Sequence, residues 1–233
     1  MGHAIASYHR TGKAGRLQVF SPVLEDDEIP VPWLFRTFEQ MPALEQRALN
    51  MARGRVLDVG AGAGCHSLTL QQRGLDVTAI DLSPLAVATM RERGVKQALQ
   101  HDFFNFQGRY DTILMLMNGI GIVGTLNRLP AFFRHIDELL APQGQVLCDS
   151  SDIAYLFEDE AGKPFLPDDS SYYGEMQFQM KCDEVTGAPF NWLYIDPDTL
   201  QRAAHENGFS ATIVGQGDHF DYLASITRLS QAP

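Results

Sequence analysis

Short apolar runs closed by glycine or proline alternate along most of the chain with stretches whose apolar positions recur every three to four residues. RVLDVG (55–60) predicts a strand, followed by a helical stretch to Gly74. LDVTAID (75–81) predicts a second strand, and Ser83-Pro84 supplies the N-cap and first residue of a helix that stops at Gly94. A short strand is expected near 96–101 and a long buried one at YDTILMLM (110–117). Leu129, Phe132, Phe133, Ile136 and Leu140 mark the inner face of a helix over 129–140, and GQVLCD (144–149) is the next strand. Asp196 and Gly208 bracket a helix from Pro197 to Asn207; SATIVG (210–215) and DYLASITR (221–228) then read as two closing strands, near enough in sequence to pair antiparallel. This alternation predicts an α/β fold: a doubly wound, mostly parallel seven-stranded sheet with an antiparallel last strand and right-handed crossovers.

Two segments stand outside the alternation. Residues 1–30 carry Arg10, Lys13 and Arg16 ahead of the acidic run EDDE (25–28) and are expected to form an exposed arm, in part without fixed structure. Residues 31–233 then make a single domain. Its first part is a helical cap, with apolar positions from Leu34 to Met41 and from Leu44 to Met51 fitting two helices separated at Pro42. The second irregular segment, 150–196, follows the fifth strand as an inserted cap. In it Met176, Phe178, Met180 and Cys182 alternate with Glu175, Gln177, Gln179 and Lys181, and Phe190, Trp192 and Tyr194 repeat that pattern beyond a turn holding Gly187 and Pro189. The period of two predicts a β-hairpin with one apolar face, and 172–196 is also the surface expected to meet a second copy of the chain. The acid runs Glu158–Glu160 and Asp168–Asp169 read as a solvated face.

At 233 residues, 45% of them hydrophobic and 20% charged, the chain can bury a full core without staples. Its three cysteines form no CxxC pair, so neither a disulfide framework nor a metal site is expected, and a reducing, cytoplasmic setting is. The first residues lack the apolar core of a signal peptide, and the longest uncharged run (112–127) contains Asn118 and three glycines, so no membrane span is expected. The net charge of −11 argues against nucleic-acid partners. Residues 150–233 hold 14 acids against four bases (−10), whereas residues 1–149 hold 15 against 14 (−1).

The most informative stretch is VLDVGAGAG (56–64), a strand running into glycines at alternate positions and then a helix. Such a loop lets a ligand lie against backbone, and Asp81, 21 residues past Gly60 at the end of the next strand, is placed to accept ribose hydroxyls. A nucleoside-containing ligand follows. A dinucleotide loop needs glycine where Cys65 stands, and Asp58, two residues before the first glycine, suits a cationic ligand better than a pyrophosphate. At these residues the sequence resembles the class I S-adenosylmethionine-dependent methyltransferases of small-molecule type, whose first motif is (D/E)xGxGxG. The likeness runs from about Arg55 to Asp149 and takes in the acid of AIDLSP, Asp102-Phe103, YDTILMLMN and LLAPQGQVL, where Gln143 replaces a usual glycine.

The resemblance implies that Gly60, Gly62 and Gly64 line the methionine part and ribose of S-adenosylmethionine, which leaves as S-adenosylhomocysteine. It further implies that Asp58 holds the ammonium directly or through water, Asp81 the ribose hydroxyls, and Leu82 one face of the adenine. Asp102 would accept from the adenine amino group, Phe103 would offer its backbone N–H, and Asn118 and Gly119 would face the methionine and the reacting methyl. Methyl transfer from a sulfonium is an in-line displacement that needs alignment first, and a base only where the acceptor must lose a proton. Candidates for that base, or for holding the acceptor, are His66, Asp149 to Asp152 after the fifth strand, His219, Tyr173 and Tyr194. Gly119 to Gly124 spells a literal GxGxxG, but Glu138 at the matching distance falls inside a helix, so the stretch reads as a turn beside the site. The expected function is methyl transfer to a small-molecule acceptor; the alternatives are a non-catalytic cofactor-binding or interaction protein and, with less in its favour, a nicotinamide-dependent oxidoreductase.

Overall fold

The computed structural model describes residues 1–13, 15–157 and 172–229; the acid runs Glu158–Glu160 and Asp168–Asp169 lie outside them. Helix α1 (Gly2–Thr11) and strands β1 (Leu17–Phe20) and β2 (Asp27–Ile29) come first, then two 3-10 turns (Val31–Phe35 and Phe38–Gln40) and helix α2 (Ala43–Met51). The alternating part runs β3 (Arg55–Val59), α3 (Cys65–Gln72), β4 (Asp76–Asp81), α4 (Pro84–Glu92), β5 (Gln97–Gln100), β6 (Tyr110–Met115), α5 (Leu129–Leu139) and β7 (Leu140–Ser151). Beyond it lie β8 (Glu175–Cys182), β9 (Val185–Thr186), β10 (Phe190–Leu193), α6 (Pro197–Glu206), β11 (Phe209–Gln216) and β12 (Asp221–Arg228). Among the described residues no helix is long and apolar enough to cross a membrane.

The main sheet has the order β11-β12-β7-β6-β3-β4-β5. Strands β3 to β7 are parallel, and β12 runs antiparallel between β7 and β11, the arrangement the alternation predicts. Both faces of the sheet are covered, which is why its central strands read as continuous apolar runs. Leu57, Ile113 and Val146 face α5 and α6 through Phe132, Phe133, Ile136 and Leu200. Their sequence neighbours Val56, Leu114 and Leu147 face α2 and α3 through Leu44, Ala48, Leu49 and Leu70. Each such side chain contributes about 1.5–3 kcal/mol on burial. The caps also follow the sequence: Ser83 Oγ accepts the Ala86 N–H at the start of α4, and the Asp196 carboxylate accepts the Thr199 N–H at the start of α6.

Two expectations for the N-terminal region are corrected. Residues 1–30 are not a loose arm. Ala4, Ile5 and Leu17 are fully buried, and β1 and β2 join the inserted strands in a second sheet of order β10-β8-β1-β2, with β9 also on β8. The inserted hairpin itself forms as expected, with Trp192 opposite Met176 and Phe190 opposite Phe178. On one edge of the eight-residue β8, β10 pairs with the first half and β9 with Lys181 and Cys182. The backbone groups of the second half that point to the opposite edge also need partners, and β1 supplies them there, Leu17 opposite Cys182 and Phe20 opposite Gln179. The second correction concerns the first of the two expected cap helices, which is replaced by the 3-10 turns. Arg36 leaves the first turn in an extended conformation, and Thr37 starts a new one with Gln40 as a capping box.

Candidate cofactor and acceptor site

The carboxyl ends of β3, β4, β6 and β7 gather the chemistry. Beyond β3 the chain turns through Gly60 with a positive φ of 68°, and nothing lies within 4 Å of the place where a side chain would begin there. The loop is backed by β4, whose Ile80 carbonyl accepts the N–H groups of Gly60 and Ala61. Gly64 has a different use: a Cβ would meet Val95 and Met90, so its absence lets the loop close onto α4. Space is therefore open at Gly60, and nearly so at Gly62, while at Gly64 it is taken up by packing.

Asp81, at the end of β4, accepts the Gly62 N–H on Oδ2 (3.0 Å) and the Ser83 N–H on Oδ1 (2.8 Å). It thus ties the glycine loop to the start of α4 and keeps further lone pairs for a ligand. Burial raises its carboxyl above the usual range although both N–H bonds oppose this. Leu82 beside it is 65% exposed, an apolar side chain open to a planar group. Asp102 caps the short turn after β5, accepting from the Phe104 N–H (3.1 Å) and the Asn105 amide (2.8 Å). The Phe103 ring is buried in the core against His135, whose Nε2 sits 2.6 Å from the Phe103 carbonyl, so the ring itself is closed to a ligand. Asp58 is 2% exposed and takes a 2.5 Å bond from Ser67 Oγ; it offers a ligand almost no surface of its own. Burial raises its carboxyl too, against the pull of His66 and Ser67.

The wall facing these groups is the turn after β6. Met117 and Asn118 both take positive φ, 66° and 54°, which costs roughly 1–2 kcal/mol per non-glycine residue. The end of β7 holds the turn there. Asp149 accepts the Met117 N–H on Oδ2 and the Gly119 N–H on Oδ1, each at 3.1 Å, and Ser151 Oγ donates to Asn118 Oδ1 at 3.0 Å. In the GxGxxG stretch that follows, Gly121 has the Trp192 indole where a side chain would stand. That glycine packs the turn against the inserted sheet, as the reading of a turn beside the site expects.

The candidate bases occupy separate settings. His66 is buried at the start of α3, 2.8 Å from Glu45 Oε2, and Arg36 donates through Nε (3.0 Å) and NH2 to that same oxygen. Burial alone would lower the imidazole; Cys65, Glu45 and Asp58 outweigh it and hold His66 well above the ordinary histidine range. A histidine that keeps its proton for Glu45 does not accept one from a substrate. Tyr173 donates to Asp152 Oδ1 (2.7 Å), and burial, Tyr172 and Asp152 together push its phenol far up. Tyr194 packs with Phe157, Met176 and Phe178 in the core of the inserted segment, and burial raises it as well. His219 lies exposed in the turn between β11 and β12, whose Phe220 stacks on Tyr155 at 4.9 Å. Arg36 and Glu45 are members of the site region without an expected role, while Asp149, expected as a base or an acceptor ligand, instead accepts two backbone N–H groups of the turn after β6. Arg36 and Glu45 come from the cap segment, where helical spacing alone left no sign of them. Among the described residues no group of three His, Cys, Asp or Glu side chains is arranged to hold a metal ion.

With this geometry in place, comparison with known proteins is specific. A family model described as methyltransferase domain matches residues 34–213. The crystal structure of an S-adenosylmethionine-dependent methyltransferase from Bacteroides fragilis, in complex with S-adenosyl-L-homocysteine, is similar at 52% sequence identity and a TM-score of 0.93, covering 97% of this chain and 93% of that one. Among curated proteins, YqeM of Bacillus subtilis is 29% identical over 117 residues, 46% of this chain and 47% of that protein. A ubiquinone biosynthesis O-methyltransferase of Xanthomonas oryzae pv. oryzae is 44% identical over 55 residues, 24% of this chain and 23% of that one. The matched segments thus span about half the length or less of these curated relatives. A family match over most of the chain and a relative at 52% identity across nearly all of it place this protein in the methyltransferase domain family.

Proposed function

We propose that the protein transfers a methyl group from S-adenosylmethionine to a small-molecule acceptor held between the Met117–Gly119 turn and the inserted sheet. The observation that carries this reading is the open face of Gly60 beside Asp81: a backbone cradle that a Cβ would fill, next to a carboxylate already oriented by two N–H groups. When bound, the cofactor supplies a methyl on a sulfonium with a neutral thioether as leaving group. The chain's part is then alignment and shielding. Asp81 orients the ribose, Leu82 and the Asp102–Phe103 turn flank the adenine, and Asn118 and Gly119 border the methionine end. Asp58 acts on an ammonium through Ser67 or a water. The inserted sheet, buttressed by β1, closes the acceptor side, where the acidic C-terminal third favours a neutral or cationic acceptor over a large anion.

None of His66, Tyr173 and Tyr194 is set up to take a proton, which fits an acceptor that needs none removed ahead of transfer or that loses it to water. Association with a second copy through 172–196 is a further part of the reading; it has to avoid the β8 edge that β1 occupies, and light scattering decides it. The three free, buried cysteines fit a reducing, cytoplasmic setting. Calorimetric titration with S-adenosylhomocysteine tests the core of the proposal. Wild type binds, and Asp81→Ala loses about 1.5–3 kcal/mol, or roughly 10- to 150-fold in affinity, for a charged hydrogen-bond acceptor. No binding by the wild type ends the proposal, and equal affinity of the variant removes the ribose role.

A further inference from the structure

The turn that follows β6 cannot hold its shape by itself. Two successive residues with side chains, Met117 and Asn118, sit in the left-handed region that glycine fills without strain. Met117 is exposed, so packing does not hold it. Downstream, the stretch is pinned to the inserted segment, by Gly121 against Trp192 and by the Leu126 N–H on Glu175 Oε1. Among the described residues, the side-chain hydrogen bonds to the strained pair come from the end of β7. One carboxylate oxygen of Asp149 takes the N–H before Asn118 and the other takes the N–H after it, with Ser151 on the Asn118 side chain.

We propose that Asp149 is a positioning residue: it clamps the Met117–Gly119 turn and so sets the wall against which the methionine end of the cofactor lies, without being a ligand itself. The inference rests on the reading above that Asn118 and Gly119 border that end of the cofactor. Two N–H donors on two oxygens favour the ionised carboxylate, because protonation turns one oxygen into a hydroxyl that accepts only weakly. The titratable groups that act on it are Glu45 from α2, which raises it, and His66 from α3, which lowers it; burial is the largest influence and takes it to about 6. β12, on the far side of β7, sets uncharged Leu223 opposite. The clamp therefore loosens as the pH falls through about 6.

Two measurements on the full chain test this: calorimetric affinity for S-adenosylhomocysteine between about pH 5 and about pH 8, and deuterium uptake of residues 115–121 without ligand. If only the ionised form binds, wild-type affinity falls about tenfold from about pH 7 to about pH 5 with a one-proton dependence. Asp149→Asn is expected to bind about tenfold more weakly at about pH 8 with a flat profile, and to raise uptake in 115–121 at neutral pH to the level wild type reaches in acid. Ser151→Ala, which leaves the carboxylate in place, raises uptake less and keeps the pH profile. A wild-type profile in Asp149→Asn, or unchanged uptake in its turn, overturns the proposal. Raised uptake with unchanged affinity also overturns it, since the turn is then clamped but positions nothing. If wild type binds no S-adenosylhomocysteine at any pH, the cofactor reading fails instead, and the uptake data still decide the clamp.

Discussion

Glu45→Ala is the perturbation whose consequence can be worked furthest. Arg36 donates to Glu45 Oε2 through Nε and NH2, His66 stands 2.8 Å from the same oxygen, and all three side chains are nearly fully buried. Removing the carboxylate leaves two cationic groups 3.3 Å apart without the acceptor they share. A hydrogen bond to a charged group is worth about 1.5–3 kcal/mol, and breaking a buried pair by deleting one partner costs about 3–5 kcal/mol. His66 limits the loss by giving up its proton. For a chain of this size each kcal/mol moves the melting temperature by roughly 2–4 °C, so a fall of roughly 6–20 °C is expected. The pH dependence carries a second signature. Histidine held above its ordinary 6.5 contributes stability that is complete below that value and lost as the pH rises through its folded pKa. Glu45 is pushed up by burial, but the bonds from His66 and Arg36 outweigh this and hold it below 4.5; its contribution is complete above that value and lost as the pH falls through the folded pKa. The triad is thus worth most between 4.5 and 6.5. Urea denaturation across that range should show the wild type minus Glu45→Ala difference peaking there. A difference below about 1 kcal/mol at every pH would refute the reasoning.

Two further substitutions test other parts of the structure. Gly60→Ala meets no atom of the protein but takes a positive φ, so urea denaturation should show a loss of about 1–2 kcal/mol. Calorimetry should show a loss of S-adenosylhomocysteine affinity beyond tenfold, because the methyl occupies ligand space; unchanged affinity means the ligand does not lie there. Leu17→Ala empties a fully buried site shared with Ala4, Val31 and Cys182 and should cost about 2–5 kcal/mol. Limited proteolysis should then open residues 1–30 before the main sheet; if stability is unchanged, β1 is not integral to the second sheet.

Much of the main sheet was legible because each of its signals is local. RVLDV is a continuous apolar run because both faces of β3 are covered, and DYLASITR forms β12 over the residues the pattern marks. Ser83 and Asp196 cap the helices they were expected to cap, since a cap needs only the N–H groups two or three residues on. The glycine loop and Asp81 were legible for a similar reason: a fixed spacing within one strand–helix–strand unit carries both. The N-terminal region misled because Leu17 to Phe20 is a short stretch whose partner, the free edge of the second half of β8, lies some 160 residues away. Nothing near Leu17 in sequence records that need. The aromatic stripe of the insertion was visible as a period of two, yet which of its rings become core was not, since that depends on Leu24 arriving from the N-terminal region and Ile153 from the start of the insertion.

By itself the sequence determined the α/β class, the strands of the parallel sheet, the glycine loop with Asp81 at the end of the next strand and a likeness to the methyltransferases, all of them written in composition and spacing within a few turns of chain. Only the tertiary structure decided that the N-terminal strands complete the inserted sheet, that His66 is locked with Glu45 and Arg36, and that Asp149 holds the turn after β6. The reason is the same in each case. A backbone edge, a buried charge or a strained turn takes its partner from whatever the fold brings within about 3 Å, and that partner can sit 9, 21, 30 or 32 residues away, as it does for Arg36, His66, Gly119 and Met117.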